Sequence, residues 1–101
     1  MSMYVIIWEY RVKRGKQSEF EAIYSSNGAW AKLFKKDAGY LGTTFIRDTN
    51  DPQRYITIDR WTSKEAYENF LTQREKEYKA LDANCEGLTE QESQLGMWNS
   101  V

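Results

Sequence analysis

The side chains in this sequence that could carry chemistry are carboxylates, phenols, indoles, lysines and a single thiol. The chain contains no histidine, the usual general base near neutral pH and the commonest metal ligand. A histidine-dependent triad, an ordinary zinc site and a histidine-ligated haem are therefore excluded. Cys85 is the only cysteine, so neither an internal disulfide nor a cysteine-based metal cluster can form. We expect no metal site and no bound cofactor, and we expect Cys85 to be inert because no basic neighbour activates it.

Aromatic residues give the strongest positive signal, with four Trp, seven Tyr and four Phe among 101 residues. Aromatic rings thicken the core of a small domain, and they also line pockets for flat hydrophobic ligands. Either Asp59 or Glu9 could act as a base beside such a ligand if burial raised its pKa. A salt bridge is the plainer role for both carboxylates.

Asn27 and Trp61 are the candidate catalytic residues. Asn27 follows Phe20 and Tyr24 at helical spacing, so we expect it to face inward, where its amide could donate to a ligand oxygen. The simpler alternative is that Asn27 caps the helix that follows it. The indole N–H of a buried Trp61 needs an acceptor, which a ligand carbonyl could supply, whereas core packing is the alternative.

The candidate substrate-binding residues are four aromatic residues and one arginine. They are Trp30, Tyr24, Tyr67, Phe70 and Arg74. The aromatic residues lie on the apolar stripes of two predicted helices, where core packing is again the alternative. Arg74 falls on the stripe of the second helix, where it either pairs with a carboxylate or offers a cation to an anionic substrate.

The elements that must position these residues alternate between strands and helices. Residues 4–12 predict a strand that is apolar on both faces at its start. A helical stripe runs from Lys16 to Phe34, with a break at residues 25–28. Residues 40–48 and 54–61 predict an antiparallel hairpin joined by the turn at 49–53. Asp59 and Arg60 alternate at the end of the second hairpin strand, so one of the two must face a covered side, and the sequence leaves both assignments open.

The second half of the chain predicts a helix and a last strand. Residues 62–65 read as a capping box, and an apolar stripe continues from Ala66 to Leu81. Residues 93–101 predict the last strand. The order βαββαβ is the ferredoxin-like α+β arrangement, a four-stranded antiparallel sheet with the helices on one face, formed by a single domain spanning residues 1–101. Because the first strand is apolar on both faces, we expect a second copy of the chain to cover the other face as a homodimer.

Charge and hydropathy exclude two classes of partner. The net charge is −1, with basic residues spread along the chain, so no concentrated basic face for nucleic acid is expected. No apolar run approaches the length of a membrane span, and we expect no membrane partner. The first residues lack the pattern of a secretory signal, so the predicted location is cytoplasmic.

Two motifs resemble one protein family over about residues 4–99. The segment Trp61-Thr-Ser-Lys-Glu-Ala-Tyr is similar to the strand-end Trp and capped helix of the antibiotic-biosynthesis monooxygenase superfamily. The segment Gly39-Tyr-Leu-Gly is similar to the entry of the second strand in the same superfamily. Of the candidate residues, Trp61 matches by position. Asn27 and Trp30 resemble in type an Asn and Trp pairing of the oxygenase branch.

The resemblance implies a dimeric α+β barrel with a pocket between sheet and helices. Members include cofactor-free monooxygenases, quinol monooxygenases and haem-degrading enzymes. The helix histidine of the haem-degrading members is replaced here by the stretch Phe70-Leu71, so haem degradation is not expected. The expected function is a cofactor-independent monooxygenase that oxidises a small phenolic, quinol or anthrone-type aromatic with O2. The first alternative is a non-catalytic dimeric module that binds a small molecule, and a third possibility is an isomerase, decarboxylase or cyclase on the same scaffold.

Overall fold

The computed structural model of the chain describes residues 3–101 and contains one sheet with four helical segments. The elements in chain order are β1 (Tyr4–Val12), α1 (Gln17–Tyr24), α2 (Ala29–Phe34), β2 (Tyr40–Arg47), β3 (Arg54–Trp61), α3 (Lys64–Gln73), α4 (Glu75–Cys85) and β4 (Thr89–Asn99). The strands are all antiparallel, in the order β2-β3-β1-β4. The predicted ferredoxin-like α+β class is confirmed.

The two central strands alternate strictly between a covered face and an open face. In β3 the buried residues are Tyr55, Thr57, Asp59 and Trp61. In β1 they are Tyr4, Ile6, Tyr10 and Val12. Successive side chains of a strand point to opposite faces, so these residues share the face on which the helices pack. Asp59 therefore faces the core and Arg60 faces away from it.

The open face of the sheet is apolar at its centre. Ile7 of β1 lies opposite Ile58 of β3, and Ile56 and Val5 share their face. Trp98 of β4, paired with Val5, is 54% exposed. Among residues 3–101, no helix packs on this side, so the expectation of a sheet covered on one face alone is met.

The first helical region breaks where the sequence predicts, but the cap is a different residue. The N-cap of α2 is Gly28, whose backbone is so close to α1 that an added Cβ would lie 2.3 Å from the carbonyl oxygen of Ile23. Asn27 is exposed in the preceding turn. The predictions that Asn27 caps α2 and faces inward are therefore wrong, because the close approach of the two helices requires a residue without a side chain at the cap.

The second helical region is divided in two, which periodicity did not indicate. Backbone dihedrals of φ −114° and ψ 25° at Arg74 end α3, and α4 begins at the next residue. The apolar stripe continues across this bend from Phe70 to Tyr78, so the spacing of apolar residues does not mark it. The last strand begins at Thr89 and ends at Asn99 instead of spanning 93–101, since its polar first residues pair with β1 through their backbone.

Ser63 starts α3 as the N-cap. Its hydroxyl oxygen accepts a hydrogen bond from the backbone N–H of Ala66 at 3.1 Å. The residue three positions after the cap is Ala66, which has no side-chain acceptor to return the bond to Ser63. The capping box predicted over residues 62–65 has Thr62 as the cap and Glu65 as the residue three positions later. The cap lies one residue further on, at Ser63, so the predicted start of the helix is confirmed to within one residue, but the predicted capping residue is wrong.

Replacing Ser63 with alanine should lower the free energy of unfolding by about 1 kcal/mol, because one backbone N–H of α3 loses its acceptor. Urea denaturation followed by circular dichroism measures the change. The neighbouring exposed residue Thr62, replaced in the same way, serves as the control and should change stability by less than about 0.5 kcal/mol. Equal losses in the two variants would contradict the capping role.

Candidate functional site

A cavity of about 550 Å³, including its mouth, lies between the covered face of the sheet and the helices. Six aromatic rings line it, namely Trp8, Tyr10, Tyr24, Trp30, Phe34 and Tyr78. They come from β1, α1, α2 and α4, so the cavity depends on the packing of the helices over the sheet. Its aromatic walls suit a small flat molecule.

Three carboxylates also line this cavity. Asp59 comes from β3, Asp82 from α4 and Glu92 from β4. Asp59 is only 8% exposed, whereas Asp82 and Glu92 are more exposed, with Glu92 still partly desolvated. Among residues 3–101, no lysine or arginine contributes to the lining.

Asp59 is held by a chain of two hydroxyl groups. The Thr43 hydroxyl donates to Oδ1 of Asp59 at 2.6 Å. The Thr43 oxygen lies 2.5 Å from the Tyr40 hydroxyl. Because the Thr43 hydrogen is directed to the carboxylate, the Tyr40 hydroxyl acts as the donor to Thr43. This chain leaves the second carboxylate oxygen of Asp59 without a protein donor among the described residues.

Burial raises the pKa of Asp59 from 3.8 to about 6. The hydrogen bond from Thr43 and the charge of Arg60 both act in the opposite direction, but they are smaller effects. A carboxylate with this pKa is ionised at neutral pH and still accepts a proton readily, which suits a general base. Of the two bases considered from the sequence, Glu9 is excluded from the cavity, because it lies on the open face and pairs with Nε of Arg54 at 2.5 Å.

The phenols of the cavity are neutral donors. Burial raises the pKa of Tyr10 and of Tyr24 far above neutral pH. The Tyr10 hydroxyl lies 3.1 Å from the Thr57 hydroxyl. Burial also raises the pKa of Tyr78, and the charges of the three cavity carboxylates add to this effect. These phenols can therefore donate hydrogen bonds to a ligand, but they do not act as bases.

The Trp30 indole N–H is buried and makes no close hydrogen bond among residues 3–101, although the Cys85 thiol, a weak acceptor, interacts with it. Trp30 is 8% exposed and lines the cavity. A buried donor without a close acceptor costs up to about 1–3 kcal/mol, which a ligand acceptor in the cavity would recover. Cys85 is buried nearby, and burial raises the pKa of its thiol, which agrees with the expectation that it is inert.

The structure brings together two of the predicted site residues, Tyr24 and Trp30. Trp61, Tyr67 and Phe70 instead form a neighbouring cluster of rings, with centroids 5.4 Å and 5.1 Å from Trp61 to the other two. Phe34 separates this cluster from the cavity by packing 5.5 Å from Trp61 while lining the cavity itself. The Trp61 indole N–H is unpaired within the described part of the chain, but aromatic neighbours surround its ring.

Asn27 and Arg74 do not line the cavity either. Asn27 is exposed in the turn before α2. Arg74 lies at the junction of α3 and α4, where its Nη1 is 3.3 Å from a carboxylate oxygen of Glu77. The plainer of its two expected roles, pairing with a carboxylate, is the one found.

The polar residues of the site that sequence reasoning missed include Thr43, Asp82 and Glu92. Asp82 follows Tyr78 by four residues on the same helix, so helical spacing could have placed the two together. The alternation of side chains along β3 could have placed Asp59 on the covered face of the sheet, because Asp59 lies two residues before the buried Trp61. For Thr43 and Glu92 no sequence signal existed, since strand register determines their neighbours.

Three further findings concern the chain as a whole. Among the described residues, no helix has both the length and the apolar character needed to cross a membrane. Within residues 3–101, no group of three or more His, Cys, Asp or Glu side chains is arranged to hold a metal ion. No curated protein matches the chain in sequence.

The family described as antibiotic biosynthesis monooxygenase matches residues 3–81. SnoaB, a cofactor-independent oxygenase from Streptomyces nogalater, is 19% identical with a TM-score of 0.82, and the match covers 100% of this chain and 95% of that one. A Bordetella bronchiseptica protein with a provisional assignment to these monooxygenases is 24% identical with a TM-score of 0.73, covering 100% and 99%. A Nitrosomonas europaea protein of the same provisional assignment is 14% identical with a TM-score of 0.78, covering 98% and 90%. At such low identities, the structural matches establish the fold alone.

Replacing Asp59 with asparagine should remove a pH dependence of stability. The folded-state pKa lies above the ordinary value, so Asp59 lowers the free energy of unfolding as pH rises from about 4 to about 6, and its effect is constant above that range. The stability of the asparagine variant relative to the natural protein should therefore rise by roughly 3 kcal/mol across this window.

Urea denaturation at a series of pH values measures this difference. Thr43→Val is the matched comparison, because loss of the donated hydrogen bond should raise the pKa of Asp59 further and extend the window upward. A constant difference between Asp59→Asn and the natural protein from pH 4 to pH 8 would contradict the raised pKa.

Proposed function

The chain belongs to the antibiotic biosynthesis monooxygenase family, and from that premise we propose that it oxidises a small phenolic, quinol or anthrone-type aromatic with O2, without a bound cofactor. The observation that carries the proposal is the buried Asp59 carboxylate in an aromatic cavity. Family membership supplies the reaction type, and the cavity supplies a site whose groups suit it.

The first step is removal of a proton from the substrate by Asp59. The carboxylate becomes a neutral acid, and the substrate becomes an electron-rich phenolate or enolate. The carboxylate oxygen not engaged by Thr43 is the acceptor in this step. Because burial has raised the pKa of Asp59 to about 6, the carboxylate is ionised at neutral pH, and its protonation costs less free energy than that of an ordinary aspartate.

The substrate anion then passes one electron to O2, and the two radicals combine to form a carbon–oxygen bond. Loss of water from the resulting peroxide leaves a carbonyl group. In total, a CH2 group and O2 become C=O and H2O, so one oxygen atom enters the product and the other leaves as water. The substrate carbon loses four electrons and O2 gains four, so no separate reductant is consumed.

The neutral donors of the cavity stabilise the charge that develops on the substrate oxygen. The phenols of Tyr10 and Tyr24 remain protonated, and the Trp30 indole N–H makes no close hydrogen bond among residues 3–101. Preorganised donors of this kind stabilise an anion more strongly in a dry cavity than in water. The aromatic walls hold the ring and exclude water from the radical intermediates.

A homodimer formed through the open face of the sheet belongs to the same proposal. The centre of that face is apolar around Ile7 and Ile58. One end carries both signs of charge in the pairs Glu9–Arg54 and Arg11–Asp51. A face that offers both an apolar centre and both charges can complement itself across a two-fold axis, which favours a second copy as its occupant.

The oxygenase activity is tested by O2 uptake with a panel of anthrones and reduced quinones. The natural protein should consume one O2 for each anthrone oxidised. Asp59→Asn should lower kcat by about 10²–10⁴-fold, because the variant has no proton acceptor at this position. Tyr67→Phe is the control, since it removes a hydroxyl group from the neighbouring aromatic cluster and should leave kcat within about twofold of the natural value.

Two results would contradict this function. Unchanged kcat in Asp59→Asn would exclude Asp59 as the base. Binding of these compounds with no O2 uptake across the panel would identify the non-catalytic binding module instead.

Replacing Ile58 with glutamate should convert the dimer to a monomer, because it places a charge at the centre of the open face. Sedimentation velocity at micromolar concentration measures the change, and circular dichroism confirms that the variant is folded. Ala80→Glu introduces the same charge on the exposed surface of α4 and should leave the dimer intact. A natural protein that sediments as a monomer would refute the proposed assembly.

A further inference from the structure

The charges around the cavity define the class of its ligand more narrowly than its aromatic walls do. Resting on the proposed function, we infer that the cavity selects an aromatic molecule that carries a protonated amine, with the ring inside and the ammonium group at the mouth. The inference depends on Asp82, Glu92 and Asp59, on the aromatic pairs beside them, and on the carboxylate oxygen of the buried Asp59 that accepts no hydrogen bond among the described residues.

The three cavity carboxylates have no ionic partner among residues 3–101. None of Asp59, Asp82 and Glu92 lies within 4.0 Å of a lysine or arginine nitrogen. Arg60 follows Asp59 in β3 and so points to the open face of the sheet. The cavity is therefore a site of net negative charge in a chain that is otherwise nearly neutral.

The effect of this charge is visible in the groups around it. The pKa of Glu92 is raised, first by burial and also by the charge of Asp82. The pKa of Tyr10 is raised chiefly by burial, with the charges of Asp59 and Glu92 adding to it. Groups on β1 and β4 thus experience the same negative potential from carboxylates on β3, β4 and α4, and a cation entering the cavity would relieve it.

Aromatic rings on two sides of the cavity suit a cation as well as a flat ring. Trp30 and Tyr78 meet edge to face at a centroid distance of 5.0 Å. Trp8 and Tyr10 are stacked at 6.4 Å on the sheet side. The faces of Trp and Tyr rings attract ammonium groups, most strongly where water is excluded.

The spacing of the carboxylates favours an extended organic cation over a metal ion. Within residues 3–101, no three acidic side chains approach closely enough to hold one ion. Asp82 and Glu92 are exposed, whereas Asp59 is buried. A ligand with its ammonium group near the exposed pair and its phenolic end toward Asp59 would satisfy all three.

An anionic ligand is disfavoured by the same arrangement. It would meet three carboxylates with no compensating cation, because Arg74 is directed to Glu77 outside the cavity. The alternative that Arg74 serves an anionic substrate is therefore not retained. Transfer of the substrate proton to Asp59 neutralises one carboxylate, so the substrate anion then faces two carboxylates, and its own ammonium group offsets the charge of one of them.

Equilibrium binding of three naphthalene probes tests the inference. The probes are 1-naphthylmethylamine, 1-naphthylmethanol and 1-naphthoate, which share a ring and differ in charge. Isothermal titration calorimetry at pH 7.5 and low ionic strength should give an affinity for the amine about tenfold above that for the alcohol, and the weakest affinity for the carboxylate. The double variant Asp82→Asn and Glu92→Gln should lose this preference for the amine while its affinity for the alcohol changes by less than about twofold.

The matched control is the double variant Glu86→Gln and Glu90→Gln, which removes the same charge from residues that do not line the cavity. It should keep the preference for the amine. A carboxylate probe that binds as tightly as the amine, no binding of any probe, or an equal loss in the two double variants would overturn the inference. Since the measurement does not involve O2, its failure leaves the oxygenase proposal standing, and a failure of O2 uptake does not alter these affinities.

Discussion

One constraint organises this molecule: its helices cover a single face of the sheet, and the alternation of β3 turns a carboxyl group toward that face. Tyr55, Thr57 and Trp61 occupy the same side of the strand as apolar or neutral groups, so Asp59 is surrounded by them without a cation. The cost of burying a charge appears as the raised pKa of Asp59. The same alternation leaves Ile56 and Ile58 on the uncovered face.

The covered side is divided between packing and binding. Rings packed around Trp61 fill the space between β3 and α3. Toward α4 and β4 the packing is less complete, and the cavity opens there between Tyr10, Trp30 and Tyr78. Phe34 belongs to both regions. A side chain on the Trp61 side can therefore influence a ligand through the packing of Phe34, or through Tyr40, which packs on Trp61 and donates to Thr43.

The fold and the candidate site differ in how far the sequence predicts them. Strand alternation and helical spacing placed the strands and the covered face, because they depend on neighbours along the chain. The division at Arg74 was not predicted, since the apolar stripe continues through it. Residue type favoured Asn27 and Trp61 as site residues, but residue type does not show whether a side chain is exposed, lines a cavity or is enclosed by other side chains. The N-cap of α2 is Gly28 and not Asn27, and aromatic rings from other elements enclose Trp61.

The sequence by itself determined the βαββαβ order, the absence of histidine chemistry and the family resemblance, all of which follow from local pattern and composition. Tertiary structure alone decided which polar groups meet. Thr43 reaches Asp59 because β2 and β3 pair in one register, and Glu92 reaches the cavity because β4 pairs beside β1. A register shift of one residue would turn either side chain to the opposite face. Contacts between distant segments are set by the packing of the whole chain, which no local pattern records.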